Sequence, residues 1–465
     1  MKNNFFILFC LLSLCAKSQT VAGVDTLWKS GPISKRINLV FMGDGYTSAQ
    51  IPLFLSDVTS TYTYLLNTSP FNNYKNYFNV FAIKCESPQS GVSHPAIATD
   101  VTEPVMPVSA VANSFNTRFD NYGTHRLIYS MNSSAVYSTL SSYFPSYDQV
   151  VILGNSPEYG GAGGAYAVSS THTSSKEIVA HEMGHSFAGL ADEYWAGAVF
   201  ATEKPNMTAE PSSANVKWAQ WVGLNSIGVY PYGTASPDNS WFRPHQNCKM
   251  RFLNQPFCSV CKETIIEKIH SLTNPIDSYD PSNVSAVSFT TASQWFKTKL
   301  VLPNPNTLKT TWTMNSVDVL HNQDSMLVAS SSMLSGANSL VFTATDTTTL
   351  SKDLYHPFTH SYSVLWNINN SYAGISEIKA RLEFSVFPNP AADKINLKYS
   401  LLEESNMTIS VVDLLGTIVI KGKANKQSIG KYENQFDLSS LSEGTYFLSI
   451  KINSEIINHK FVILK

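Results

Sequence analysis

Ser174-Ser175-Lys176-Glu177-Ile178-Val179-Ala180-His181-Glu182-Met183-Gly184-His185-Ser186-Phe187-Ala188-Gly189-Leu190 is the stretch from which the rest of this chain is read. Val179, Met183, Phe187 and Leu190 recur at helical intervals, which predicts a helix with one face in a core. Ser174 with Glu177 has the spacing of a capping box, and Gly189 is placed to end the last turn. On that helix His181 and His185 lie one turn apart on a shared face, with Glu182 beside the first. Two imidazoles at i and i+4 suit a tetrahedral zinc ion, and the adjoining carboxylate suits a general base acting on water. A histidine pair on a helix is more often surface or satisfied core. Here the cap, the apolar face and the glycine stop favour a metal site.

Catalytic zinc commonly takes three protein ligands and leaves one position open. After Gly189 come Leu190-Ala191-Asp192-Glu193-Tyr194-Trp195. The layout resembles the metzincin pattern H-E-x-x-H-x-x-G-x-x-H, which is completed by a methionine in a later turn. It departs by one extra residue before the glycine and by Asp192 where a histidine would stand. Asp192 is therefore the expected third ligand and Glu193 its competitor, while the same acidic pair would otherwise only solvate or tie down a loop. With zinc on His181, His185 and Asp192, Glu182 would take a proton from water and return it to a leaving amine. Tyr194, Tyr159 and His245 are the candidate oxyanion donors, each also explicable as structural. No G-x-S-x-G serine motif competes.

His181 to Tyr194, HEMGHSFAGLADEY, resembles the signature of the IgA peptidase (M64) family of zinc metallopeptidases. Other segments are similar in the same order: Phe41-Met42-Gly43-Asp44-Gly45-Tyr46, Pro70 to Val80, Ser87 to Gly91, Asp148 to Asn155, and Tyr159 to Gly164. Cys248-Lys249-Met250-Arg251 followed by Phe257-Cys258-Ser259-Val260-Cys261 completes the set. The resemblance spans roughly residues 30 to 270. It implies a secreted zinc endopeptidase acting on proteins, not that IgA is the substrate. It also implies Met250 as an apolar floor beneath the zinc ligands. Independently, Gln149 to Gly154 reads as a strand, and in a metzincin-like fold an edge strand before the zinc helix pairs with extended substrate. The glycines at 160, 161, 163 and 164 would permit close backbone approach or positive φ, or simply form a surface loop. Gly43-Asp44-Gly45 reads as a tight turn, since no G-x-G-x-x-G or Walker lysine follows.

A chain of 465 residues exceeds one ordinary core. A net charge of −2 and only 14% charged residues argue against a nucleic-acid surface or polybasic membrane binding. Lys2 followed by the apolar run Phe5 to Cys15 reads as an export signal, with Ala16-Lys17-Ser18 before the cleavage point. A lipoprotein signal is disfavoured because Leu14 is bulky before Cys15. No later segment has the length and apolarity of a transmembrane helix. Removing the signal leaves Cys85, Cys248, Cys258 and Cys261. Cys258-x-x-Cys261 near Cys248 has zinc-like spacing, but export favours disulfides. A bridge from Cys248 to Cys258 or Cys261 would clamp the methionine turn, with Cys85 as a possible remaining partner.

At the far end, Phe384-Ser385-Val386-Phe387-Pro388-Asn389-Pro390, Asp413-Leu414-Leu415-Gly416 and Leu441-Ser442-Glu443-Gly444-Thr445-Tyr446-Phe447 resemble the type IX secretion sorting domain. That resemblance implies an immunoglobulin-like sandwich recognised by the type IX secretion machinery at the outer membrane. Between the two, Val284 to Thr290, Lys299 to Leu302, Ser325 to Ala329, Ser339 to Thr343 and Tyr362 to Asn367 are strand-like. The expectation is thus an α+β chain. It has a signal peptide at 1–18, a metzincin-like zinc peptidase at 19–274, a β-sandwich at 275–375 and a sorting sandwich at 376–465. The expected product is a secreted or cell-surface zinc metalloendopeptidase. The rival is a surface adhesin with a non-catalytic zinc site, which would have no need of Glu182.

Overall fold

The computed structural model describes residues 20–233, 238–289, 291–334, 336–370, 382–453 and 455–465. The expected export signal at 1–18 and the expected junction at 375–376 lie outside these residues. Around the zinc-type motif the chain builds a mixed six-stranded sheet. Its strands are β1 (Thr20–Trp28), β2 (Ile37–Asp44), β3 (Phe78–Glu86), β4 (Gln149–Gly154), β5 (Gly161–Ala162) and β6 (Ala167–Ser169). They run in the order β1-β3-β2-β4-β6-β5. The four central strands are parallel, and β1 and β5 close the two edges antiparallel.

Helices cover both faces, so β2 and β4 are buried along their whole length and read as continuous apolar runs. Side chains alternate across the sheet. Leu39, Phe41, Val80, Ala82, Val151 and Leu153 enter one core, and Val40, Met42, Phe81, Ile83, Val150 and Ile152 the other. The first core receives α1 (Ile51–Leu65), α3 (Ser175–Ser186) and α4 (Ser259–Leu272); α2 (Ser133–Tyr143) packs into the second through Val136 and Leu140. The expected substrate-edge strand therefore needs correcting. Gln149–Gly154 lies centrally, and the edge beyond it is the two-residue strand Gly161–Ala162.

The Gly43-Asp44-Gly45 turn is built by hydrogen bonds to a buried carboxylate. Asp44 accepts the N–H groups of Phe115 at 3.0 Å and Thr117 at 3.0 Å. Gly45 has φ +75°, and a Cβ there would lie 2.1 Å from the Gly91 carbonyl oxygen, so no other residue fits.

Residues 276–370 form two sheets, of three and five strands, that share a core around Phe296, Trp312, Leu340, Phe342 and Trp366. The strand expected over 284–290 shortens to Val287–Ser288, with Val284 fully solvent-facing. Lys299 and Leu300 belong to the longer strand Ser293–Leu300. This unit is tied to the first region by buried polar groups. Asp346 accepts from Tyr74 Oη, His270 Nε2 and Thr307 Oγ1, each at 2.6 Å, and Glu267 binds His356 and His360, each at 2.5 Å. Residues 382–463 form a third, self-contained core from Leu382, Leu397, Ile409, Val411, Leu448, Ile450 and their neighbours. Mixed helix and sheet at the start, followed by all-β units, makes the chain α+β. Among the described residues no helix is long and apolar enough to cross a membrane.

Candidate active site

The helix α3 spans Ser175–Ser186 and buries Val179 and Met183 in the first core, with Phe187 and Leu190 just beyond its end. Its expected capping box does not form: Ser174 makes no side-chain cap. Glu177 is drawn away instead, accepting from Tyr64, from the Lys249 ammonium and from the Asn254 N–H at 2.9 Å. A buried cation competes successfully with a backbone amide for the carboxylate. The far end behaves as the sequence suggests. Gly189 adopts φ +68°, and its N–H returns to the His185 carbonyl at 2.9 Å.

That turn places the Leu190 carbonyl on His185 Nδ1 at 2.8 Å, while the Lys249 carbonyl holds His181 Nδ1 at 2.9 Å. With each Nδ1 donating to a carbonyl, both Nε2 atoms carry lone pairs toward a common point. The Nε2 atoms are 3.2 Å apart, and Asp192 Oδ1 lies 3.0 Å from His181 Nε2 and 3.2 Å from His185 Nε2. Glu193 turns the opposite way. It is fully buried and accepts from Asn206 Nδ2 at 3.1 Å, and Asn206 also brackets the backbone of Ala191 at 2.7 and 2.9 Å. The Asp192/Glu193 alternatives are thus separated in space.

Asp192 Oδ1 is a buried acceptor without a hydrogen-bond partner. It converges with two neutral-imidazole lone pairs at ligand-to-ligand spacings, so this donor set fits a zinc ion. Without an ion, burial would lower the basicity of His185, but the Asp192 carboxylate overrides it and lifts its pKa to about 9. Burial raises the Glu182 carboxyl above its ordinary value, against the pull of His181 and His185.

The floor of the site is Met250. It is fully buried, and a Cβ at Gly184 would lie 2.4 Å from its Sδ. The roof is the glycine loop, packed onto α3: a Cβ at Gly161 would meet Ile178 at 2.2 Å. One at Gly163 would meet His185 Cβ at 2.7 Å and Glu182 Oε2 at 2.8 Å. These glycines serve close approach, since neither has positive φ. Of the three candidate donors, Tyr194 is beside the site, its ring stacked 6.4 Å from that of His181. Tyr159 packs against His172, and His245 Nδ1 accepts the Asn247 N–H. Arg126 escaped the sequence reading. It donates to Tyr194 Oη at 3.1 Å and lies 5.5 Å from the ring centroid.

The disulfides expected from export are absent among the described residues: Cys85, Cys248, Cys258 and Cys261 are all free. Cys85 points into the second core, on the opposite face of the sheet from Cys248, Cys258 and Cys261.

Residues 26–232 match the family model described as IgA Peptidase M64, and residues 385–464 match the Secretion system C-terminal sorting domain. The first match ends before Met250 and the last three cysteines. No curated protein matches the chain. Solved structures with partial similarity include dimeric latent PorU from Porphyromonas gingivalis, at 13% identity and TM-score 0.17 over 40% of this chain and 20% of that one. Another is SGBP-B of the Bacteroides ovatus mixed-linkage glucan utilization locus, at 9% and 0.16 over 40% and 45%. The Faecalibacterium prausnitzii β-glucuronidase is a third, at 11% and 0.15 over 39% and 36%. This chain thus spans less than half the length of each, and similarity at this level identifies neither fold nor function. Over residues 26–232 the chain is thus similar to the IgA peptidase M64 family, and over 385–464 to the secretion-system C-terminal sorting domain.

Proposed function

We propose that this chain is a secreted zinc-dependent endopeptidase, with zinc held by His181, His185 and Asp192 and with Glu182 as general base. The observation that carries the reading is the convergence of both Nε2 atoms and Asp192 Oδ1 within 3.2 Å of one another, beside a buried glutamate. Zinc, when bound, supplies Lewis acidity toward a scissile carbonyl and toward water. The Lys249 and Leu190 carbonyls keep both imidazoles in the ligating tautomer. Glu182 takes the proton of the attacking water and passes it to the leaving amine. Its burial, which raises its pKa, suits both halves of that transfer. Arg126 donates to the Tyr194 oxygen, leaving the phenolic proton free to meet the developing oxyanion.

We read the first region as metzincin-like on the antiparallel edge strand Gly161–Ala162, the glycine-ended helix and Met250 beneath it. The all-β units at 276–370 and 382–463 are read as immunoglobulin-like. The sorting domain supports delivery by the type IX secretion machinery to the cell surface or medium. A non-catalytic surface adhesin leaves Glu182 and the Arg126–Tyr194 pair without a task.

The test is casein cleavage and zinc content on full-length wild type and Glu182→Gln. Equal zinc in both, with cleavage lowered about 10²–10⁴-fold in the variant, is expected. Full cleavage by Glu182→Gln, or by protein freed of zinc with a chelator, would overturn the assignment.

A further inference from the structure

A second cluster lies directly behind the active site. Cys248, Cys258, Cys261 and Glu193 each place one ligand atom within 4.8 Å of all the others, and all four residues are buried. Cys248 Sγ and Cys261 Sγ are 3.6 Å apart. Glu193 Oε1 lies 3.3 Å from Cys261 Sγ and 4.0 Å from Cys258 Sγ. For a tetrahedral zinc with ordinary Zn–S and Zn–O bonds, the ligand–ligand edges come to about 3.8 Å between sulfurs and about 3.6 Å between sulfur and oxygen. The two sulfur–oxygen separations bracket their value, and the sulfur–sulfur separation falls about 0.2 Å short of its own.

Pairwise chemistry does not account for the cluster. Any one disulfide would consume two sulfurs and leave the third beside a carboxylate with no solvent access. Glu193 Oε2 has no hydrogen-bond partner although its residue is 0% exposed. The backbone supplies what thiolates use. The Cys258 N–H donates to Cys248 Sγ at 3.3 Å, and Cys258 and Cys261 stand at the cap and in the first turn of α4, where the helix dipole favours negative charge.

We propose that Cys248, Cys258, Cys261 and Glu193 bind a structural zinc ion distinct from the active-site metal. One divalent cation satisfies the three sulfurs and the orphaned carboxylate together, in a closed four-ligand shell of the structural kind. The ion clamps the 248–261 loop, doing the work that a disulfide was expected to do. That loop carries the Lys249 carbonyl that orients His181 and the Met250 carbonyl that accepts the Glu193 N–H at 2.7 Å. Adjacent carboxylates, Asp192 and Glu193, thereby face two different metals. This last link rests on Asp192 being an active-site ligand, whereas the thiolate site does not.

The experiment uses the full chain produced with cobalt in place of zinc, as wild type, His181→Ala and Cys258→Ser/Cys261→Ser. Thiolate-to-cobalt charge-transfer absorption in the near ultraviolet is expected in wild type and in His181→Ala, because the active-site donors include no sulfur. It should vanish in the cysteine variant. In the zinc forms each variant should hold one ion fewer than wild type. The paired comparison cancels ions held elsewhere, for example among His94, Glu103, Asp120 and His125. If the cysteine variant fails to fold, thiol counting on the denatured wild type decides. Three free thiols at 248, 258 and 261 on denaturation, which in the native chain resist alkylation until a chelator is added, support the site. A disulfide within this set, or thiols that alkylate at once without chelator, would overturn it. Loss of peptidase activity in His181→Ala with the thiolate band intact would separate failure at one site from failure at the other.

Discussion

Gly184→Ala pits two measurable effects against each other. Alanine is favoured over glycine inside a helix by about 0.8–1 kcal/mol, so propensity alone predicts a stabilised chain. The new methyl, however, would sit 2.4 Å from Met250 Sδ, 3.1 Å from Met250 Cε and 3.5 Å from Leu190 Cδ1. Ordinary contact needs about 3.5–4 Å, so the thioether must retreat by roughly 1 Å. Met250 is 0% exposed and has no solvent to swing into. Overpacking of this kind costs about 1–3 kcal/mol, which offsets the helix gain and leaves a net loss of about 0–2 kcal/mol. Met250→Ala alone should cost about 2–5 kcal/mol for its cavity. In the double variant the clash is gone and the alanine's helix gain returns. The two penalties should then fall short of additive by about 1–3 kcal/mol. Urea midpoints of the four proteins make the comparison. A Gly184→Ala midpoint clearly above wild type, or strictly additive penalties, would refute the packing of Met250 under the histidine helix.

Gly163→Ala should lower kcat/KM while leaving zinc content unchanged, since its methyl would strike His185 Cβ and Glu182 Oε2 at 2.7 and 2.8 Å; unaltered kinetics would discount the loop's close approach. Asp192→Asn should lose active-site zinc, whereas Glu193→Gln should lose only the thiolate-site metal; zinc analysis of the two variants checks the division of labour. The polar joint around Asp346 makes stability pH-dependent. Burial alone would lower His356, but Asp346 and Glu267 raise it from 6.5 to about 9, so its contribution is complete below 6.5 and fades as pH rises through 9. Glu267, opposed by burial but lowered by His356 and His360 from 4.5 to about 2, contributes above 4.5 and fades toward 2. His270, held below 6.5 chiefly by burial, adds to the acid limb. Thermal midpoints should therefore peak near pH 6.5, and His356→Gln should flatten the alkaline side.

What could be read in advance was local. The α3 pattern and its glycine stop depend on residues within one or two turns, and the continuous apolar run Gln149–Gly154 announced a strand. Its central place in the sheet was not announced. Asp192 was the expected third ligand, but what turns Glu193 away was not legible: Asn206, thirteen positions downstream of Glu193, brackets Ala191 and draws Glu193 inward. The Ser174–Glu177 capping box failed because Tyr64 and Lys249 compete for the same carboxylate from other elements. Arg126 carried no signal at all: only the fold brings it to Tyr194. The cysteines misled for a different reason. Export favours disulfides, whereas the grouping of three sulfurs with a carboxylate forms only when the fold brings Glu193 from beyond the active-site helix.

The buried joint around Asp346 also bears on how such chains can be cut and recombined. Tyr74 and His270 on one side and Thr307 on the other share a single carboxylate, and Tyr77 Oη donates to the Val301 carbonyl at 2.9 Å. A gene fragment ending at residue 274 would delete Asp346 and the Val301 carbonyl, leave Tyr74, Tyr77 and His270 to water, and bare the apolar surface that Val301 and Leu350 cover. The smallest portable cassette therefore reaches to about residue 370. The sorting tail, whose core borrows from no neighbour, can be exchanged freely for another address label.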